Sequence, residues 1–137
     1  MDELQGKTAV ITGAASGMGL AMAKRFAKDE MNVVLSDINE SALGIAVDQI
    51  RGAGGKALGA QADVSSEADN AQLMDAVIDE FGSVDVVCLN AGVQGSIGRS
   101  WLLSGEDYEW TLGILLKGVI HGCLLYTSPS PRDKRQS

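Results

Sequence analysis

Two patterns of apolar residues alternate along the chain. Short continuous apolar runs are typical of buried strands, and apolar residues three or four positions apart are typical of amphipathic helices. Short apolar runs predict strands at 7–12, 32–36, 56–61 and 84–89. Helical spacing predicts helices at 17–29, 41–51 and 66–81, and one after a loop at 90–103. Alternation of this kind predicts an α/β fold, with a parallel sheet, right-handed crossovers and helices on both faces.

Two helix starts carry capping signals. Ser66 followed by Asp69 resembles a capping box, in which the two residues satisfy each other's backbone N–H groups. Ser104 is the predicted cap of the last helix, with Asp107 three residues later. The helix over 41–51 is predicted to stop at the glycine cluster 52–55.

Glycines at 13, 17 and 19 stand where the first predicted strand turns directly into a helix. Without side chains, the backbone N–H groups of such a turn can approach a pyrophosphate closely, and the helix N-terminus adds partial positive charge. This pattern predicts a dinucleotide site in a Rossmann-type doubly wound parallel sheet, truncated after about four strands and the following helix. The alternative is a glycine-rich turn that holds no ligand.

Asp37 ends the second predicted strand, near the offset of about 20 residues at which an acid binds the adenosine ribose. A carboxylate there accepts hydrogen bonds from the ribose hydroxyls and repels a 2′-phosphate. The next residue is Ile38 rather than Arg or Lys, and the glycine turn has no basic residue. We therefore expect NAD, with NADP disfavoured; the alternative is an ordinary solvated Asp.

The glycine spacing T-G-x-x-x-G-x-G, over Thr12–Gly19, resembles the cofactor motif of the short-chain dehydrogenase/reductase family. The resemblance runs from Leu4 to about Gly122. Asp63-Val64 resembles the adenine-contacting pair of that family. The segment 89–92 resembles its N-N-A-G segment with Leu89 in place of the first Asn, and 113–119 resembles its V-N-x-x-G-V helix.

The resemblance implies an NAD(P)-dependent oxidoreductase that moves hydride between nicotinamide and a small alcohol or ketone, in a parent protein that forms a homotetramer or dimer. The implied cofactor contacts are Gly13, Ser16, Gly17, Met18, Gly19, Asp37, Asp63, Val64, Asn90 and Gly92. Met18 and Val64 are alternatively plain core residues, and Asn90 a satisfied polar group at a strand end.

The catalytic residues implied by the resemblance do not match this sequence. The family uses a Tyr with a Lys four residues later, because a phenol that titrates near ~10 needs a nearby cation to act at neutral pH. Here Tyr108 is followed at that distance by Leu112 and Tyr126 by Ser130, and the family's relay Asn is replaced by Leu115. We expect a cofactor-binding half without activity of its own and assign no catalytic residue. Two alternatives stay open, a non-catalytic dinucleotide-binding Rossmann module and a chain that does not fold stably.

Two domains are expected, a Rossmann half over 1–122 and a tail over 123–137. The helical pattern stops abruptly after Gly122, and the chain becomes Pro- and Ser-rich with a basic end. The tail resembles one reading frame of a transposon-end sequencing adapter, which predicts a non-native segment. The alternative is a natural disordered C-terminus.

The formal net charge of −7 argues against nucleic acid or an anionic membrane as partner. No apolar run approaches the ~18 residues of a membrane span, and the acidic N-terminus lacks a signal-peptide pattern, so a cytoplasmic location is expected. His121 is the single histidine, and Cys88 and Cys123 have no metal spacing. No metal site is predicted.

Overall fold

Four parallel strands form one sheet in the computed structural model, which describes residues 3–127. The strands are β1 (Thr8–Thr12), β2 (Asn32–Asp37), β3 (Lys56–Gln61) and β4 (Val86–Cys88). They are linked in turn by α1 (Gly17–Lys28), α2 (Glu40–Gly52) and α3 (Glu67–Phe81). The predicted α/β fold is confirmed, and these elements differ from the predicted ones only at their ends.

The strand order is β3-β2-β1-β4, so the chain reverses its direction of growth at β1. The chain places β2 beside β1 and then β3 beside β2. Helix α3 then leads back across the sheet, and β4 is added on the other side of β1. At such a reversal the two connections leave the sheet in opposite directions and open a crevice beyond the carboxyl ends of the strands. The ends of β1 and β4 therefore define where a ligand site is expected.

The core lies on both faces of the sheet, and β1 is buried along all of its length. Ala9 and Ile11 pack with α1 and α2 on one face, whereas Val10 packs with α3 on the other. Full burial of a Val or Ile side chain contributes about 1.5–3 kcal/mol. This two-sided covering explains why the β1 segment is apolar without alternation.

The last helical region begins with the predicted cap. The Ser104 hydroxyl accepts a hydrogen bond from Asp107 N (3.1 Å), and the Asp107 carboxylate accepts one from Ser104 N (2.8 Å), which completes a capping box. The Ser104 N–H, the Ser96 hydroxyl and the Ser104 hydroxyl all donate to the Asp107 carboxylate, which lowers its pKa below the ordinary value. The region comprises α4 (Gly105–Leu112), a π-helical segment (Gly113–Lys117) and α5 (Gly118–Tyr126).

Helix α5 does not stop at Gly122, where the sequence pattern predicted a break. It continues to Tyr126, whose side chain packs against the buried cluster that contains Val10, Val34 and Leu73. Gly122 lies so close to Leu89 that a Cβ would have no room. Burial raises the pKa of the Tyr126 phenol. Residues 128–137 of the predicted tail lie outside the described part of the chain, and the origin of the tail stays a prediction.

No helix within residues 3–127 is long and apolar enough to cross a membrane.

Candidate functional site

The three glycines of the β1–α1 turn are required for different physical reasons. Gly13 and Gly17 have φ of +66° and +57°, in the left-handed region that side chains disfavour. Gly13 is also crowded, since a Cβ there would lie 2.8 Å from Ala91 Cα. At Gly19 a Cβ would fall on the carbonyl oxygen of Gly13 and 2.8 Å from Asn90 Nδ2. Gly17 has open space around it, so only its backbone angle explains the glycine.

The N-terminus of α1 is left open. Its N-cap, Ser16, makes no side-chain capping hydrogen bond, and the first turn contains no acidic residue. In contrast, α2, α3 and α4 are capped by Asn39, Ser66 and Ser104, and each has acidic residues in its first turn. The first N–H groups of α1 therefore keep their hydrogen-bonding capacity and the partial positive charge of the helix end. An anion such as a phosphate fits this position.

Asn90 joins the end of β4 to the glycine turn. Its Nδ2 donates to the carbonyl oxygens of Thr12 (3.1 Å) and Gly13 (3.4 Å). The Thr12 hydroxyl accepts from the backbone N–H groups of Asn90 and Ala91, both at 3.0 Å. The Asn90 amide is thus used within the protein, and its role is to position the turn. Thr12 does the same from the other side and was missed as a site residue, although it stands directly before Gly13.

Asp37 links the end of β2 to the same turn. Its Oδ2 accepts from Ala15 N (3.1 Å), and its Oδ1 accepts from Asn39 N (3.0 Å). An ionised carboxylate offers about four acceptor positions, so it can still accept from two neighbouring hydroxyls. Asp37 therefore combines a structural contact to the glycine turn with free acceptor capacity at the cleft.

Asp63 and Val64 follow β3 and occupy different environments. Asp63 Oδ1 accepts from Ser65 N (2.9 Å) and from the Ser65 hydroxyl (2.6 Å). Val64 is buried, and its Cγ2 lies 2.9 Å from where a Cβ of Gly118 would be. Val64 is therefore also a packing residue, in agreement with the alternative interpretation from the sequence.

The capping box predicted at Ser66 forms only in part. The Ser66 hydroxyl accepts from Asp69 N (3.2 Å), as predicted. However, Asp69 Oδ2 accepts from Asp63 N (2.8 Å), and Ser66 N donates to the carbonyl oxygen of Asp63 (3.0 Å). The reciprocal bond is replaced because the loop folds back over the helix start, which fixes Asp63 beside the cleft.

Two adjoining cavities form one cleft along the carboxyl edge of the sheet. The first, of about 120 Å³, lies between Asp37 and Ile38 on one side and Asp63, Val64 and Ile114 on the other. The second, of about 490 Å³, extends past the start of α1. Of the predicted contacts, all except Gly17 and Gly19 line the cleft, namely Gly13, Ser16, Met18, Asp37, Asp63, Val64, Asn90 and Gly92. The structure therefore brings the predicted contacts together, and Gly17 and Gly19 shape the turn.

Comparison with known proteins identifies the family. Residues 7–130 match the family model described as short chain dehydrogenase. The chain belongs to the short-chain dehydrogenase family. Among curated short-chain dehydrogenase relatives, glucose 1-dehydrogenase 2 of Bacillus subtilis is 36% identical over 121 residues, covering 88% of this chain and 47% of the relative. The 3beta-hydroxysteroid dehydrogenase 1 of Eggerthella lenta is 40% identical over 123 residues, covering 89% and 47%.

Solved structures of short-chain dehydrogenases share the fold. A family member from Burkholderia phymatum in complex with NAD superimposes with a TM-score of 0.88 at 43% identity, covering 92% of this chain and 44% of that one. A metagenomic short-chain oxidoreductase in complex with NADP has a TM-score of 0.85 at 27% identity, covering 89% and 55%. The chain spans about half the length of the curated relatives it matches.

The second cavity of this short-chain dehydrogenase ends at an apolar side chain. Leu115 lies on the π-helical segment, and its Cδ2 is 3.3 Å from where a Cβ of Gly92 would be. Asp37 is the only ionisable side chain among the described residues that line this cavity. Cys88 lies on β4, two residues before Asn90. Burial raises the pKa of its thiol, which keeps it protonated at neutral pH. Neither Leu115 nor Cys88 is therefore suited to relay a proton.

Within the described range 3–127, no group of three or more His, Cys, Asp or Glu side chains is placed to hold a metal ion.

Proposed function

We propose that this chain is the dinucleotide-binding half of an NAD-dependent oxidoreductase acting on an alcohol or ketone. The observation that carries the proposal is the open N-terminus of α1, which follows a turn held in shape by Gly13, Gly19 and Asn90. Asp37 stands at the edge of that turn. The relative from Burkholderia phymatum, described above, was solved with NAD, which supports the choice of ligand.

Each part of the dinucleotide has candidate partners in the cleft. The backbone N–H groups of Ser16, Gly17 and Met18 hold the pyrophosphate at the start of α1. The Asp37 carboxylate accepts from the adenosine ribose, and Asp63 and Val64 contact the adenine. Gly92 lets the strand-end backbone come close to the cofactor. When bound, the nicotinamide accepts or supplies the hydride; the residues of this chain bind and orient the dinucleotide.

Preference for NAD over NADP is the direct test of this assignment. We expect NADH to bind about tenfold or more tightly than NADPH, a difference of about 1.4 kcal/mol, since the Asp37 carboxylate repels the 2′-phosphate. Asp37→Ala should weaken NADH binding about tenfold and bring the two affinities close together. Isothermal titration calorimetry measures both constants. Asp48→Ala removes the same charge from an exposed position on α2 and should leave both unchanged. Equal affinity of the unaltered chain for NADH and NADPH would contradict the assignment of Asp37.

Turnover is expected to be absent from this chain of 137 residues. Its sequence contains no Tyr followed four positions later by Lys, and Leu115 stands at the end of the second cavity. With NAD⁺ and a panel of primary and secondary alcohols, NADH absorbance should stay at the background rate. Gly17→Asp places a carboxylate at the phosphate position and serves as a non-binding control. Turnover by the unaltered chain that disappears in Gly17→Asp would overturn this expectation.

Two broader proposals concern the parent protein. We propose that it forms a dimer or tetramer and acts in the cytoplasm. Exposed apolar side chains at regular spacing along the last helical region support self-association, namely Leu112, Leu116, Ile120 and Leu124.

A further inference from the structure

Met18 differs from the other methionines in the described part of the chain. It is the second residue of α1 and is 77% exposed. Met31 and Met74 are buried, at 1% and 2% exposed, and Met22 packs against the buried cluster on one face of the sheet. Small oxidants in solution can therefore reach the thioether of Met18, whereas those of Met31 and Met74 are shielded.

The Met18 side chain borders both the second cavity and the open start of α1. It lines that cavity together with Ser16, Asp37 and Asn90. The first hydrogen bond of α1 runs from Leu20 N to the carbonyl oxygen of Ser16 (3.2 Å), so the N–H groups that precede Leu20 have no partner within the helix. Side chains on an α-helix lean toward its N-terminus, which brings the Met18 side chain near these N–H groups.

Oxidation would give the Met18 side chain a strong hydrogen-bond acceptor. The sulfur attacks one oxygen of hydrogen peroxide, and an S–O bond forms as the O–O bond breaks. The sulfur supplies the electron pair of the new bond and is oxidised, whereas the peroxide is reduced. The second oxygen leaves as hydroxide and becomes water by taking the proton of the transferred hydroxyl. The product is methionine sulfoxide, whose polar oxygen can accept from N–H groups as a capping side chain does.

We propose that Met18 is an oxidation site through which hydrogen peroxide regulates cofactor binding. In the oxidised protein the sulfoxide oxygen accepts from the free N–H groups at the start of α1 and supplies the cap that Ser16 does not. A pyrophosphate must then displace this oxygen, so the affinity for the dinucleotide falls. The inference rests on the proposed function, because it takes these N–H groups to hold a pyrophosphate. It goes beyond that function by assigning a modification site and a regulator.

Peroxide treatment followed by mass spectrometry of the peptides locates the modification. The peptide that contains Met18 should gain one oxygen atom before those that contain Met31 or Met74, because burial keeps peroxide from these two side chains. NADH bound in the cleft should cover the Met18 sulfur. Oxidation of Met18 should therefore slow about tenfold when NADH is present at about ten times its dissociation constant, since only the free protein reacts.

Two properties of the oxidised protein should change together. The dissociation constant of NADH should rise about 5–10-fold, because the pyrophosphate has to displace a hydrogen-bonded oxygen. The melting temperature without ligand should rise by about 2–5 °C, as expected for a new helix cap. Calorimetric titration and thermal unfolding by circular dichroism provide the measurements.

Two variants on α1 separate Met18 from the other oxidisable side chains. Met18→Leu has no thioether at this position and keeps both Cys88 and Cys123. When this variant is compared with itself before and after peroxide, its NADH affinity and melting temperature should not change. Met22→Leu removes the half-buried methionine of the same helix, which does not line the cleft. It should respond to peroxide as the unaltered chain does.

The outcomes separate the two proposals. Absence of NADH binding by the untreated chain would overturn the proposed function and this inference with it. Equal NADH binding before and after oxidation of Met18 would overturn only the inference, as would an equal loss of affinity in peroxide-treated Met18→Leu. Oxidation of Met31 or Met74 ahead of Met18 would also overturn it. Weaker NADH binding and a higher melting temperature, both absent from Met18→Leu, support it.

Discussion

Gly19→Ala is expected to abolish NADH binding and to lower the free energy of unfolding by about 2–3 kcal/mol. The added methyl group would fall on the carbonyl oxygen of Gly13 and lie 2.8 Å from Asn90 Nδ2. Neither neighbour is the free end of a flexible side chain. The Gly13 atom is a backbone carbonyl oxygen, and the Asn90 amide is held by hydrogen bonds to the carbonyl oxygens of Thr12 and Gly13. The methyl group can fit only if α1 moves away from the strand end, which displaces its open N-terminus from the phosphate position.

Gly44→Ala is the matched control for this change. Gly44 lies inside α2, and a Cβ there would meet nothing within 4 Å. Alanine at an unstrained helix position stabilises by about 0.5–1 kcal/mol relative to glycine. The control should therefore melt at a higher temperature and bind NADH normally. If Gly19→Ala instead bound NADH as the unaltered chain does, the close approach of α1 to the turn would have no role in binding.

Asn90→Asp is expected to have the second largest effect, with a loss of about 2–3 kcal/mol of stability and at least a tenfold weaker NADH affinity. The amide donates to two carbonyl oxygens, whereas a carboxylate has no proton to donate and is repelled by them. It also brings a negative charge to the turn that is proposed to hold the pyrophosphate. Urea unfolding and calorimetric titration measure the two effects.

Asn39→Asp makes the same chemical change where a carboxylate is tolerated. Asn39 Oδ1 caps α2 by accepting from Ala42 N (3.0 Å), and an aspartate oxygen accepts equally well at a helix N-terminus. Its stability should be unchanged or slightly higher, and its NADH affinity unchanged. If the two Asn→Asp variants behaved alike, Asn90 would be an ordinary strand-end residue, the alternative considered from the sequence.

The sequence was sufficient for the fold because the signals are local. Strand and helix periods, and stop signals such as Gly82, whose φ of +79° ends α3, depend on neighbouring residues only. The glycine spacing was equally informative, since the turn geometry follows from where side chains are missing. These features, with the general preference for right-handed crossovers, predicted the parallel sheet, whereas the strand order β3-β2-β1-β4 comes from the structure.

Features made by distant residues could not be predicted in the same way. The contacts of Asn90 with Thr12 and Gly13 join positions far apart in sequence, so its hydrogen-bond partners could not be predicted from the pattern. The packing of α5 depends on Gly122 meeting Leu89, and the partial capping box depends on where Asp63 lies.

The open start of α1 makes the stability of this protein depend on the solution around it. A ligand that binds only the folded state adds stability in proportion to the logarithm of its concentration, about 2.7 kcal/mol at a hundred times its dissociation constant. An internal cap such as Ser104 on α4 would supply its contribution permanently. The start of α1 has no such cap, because Ser16 makes no side-chain capping hydrogen bond. A comparable stabilisation is therefore gained only when an anion binds there. If the start of α1 holds the pyrophosphate, as proposed, the melting temperature rises with the cofactor concentration, and a phosphate or sulfate buffer would compete for the same N–H groups.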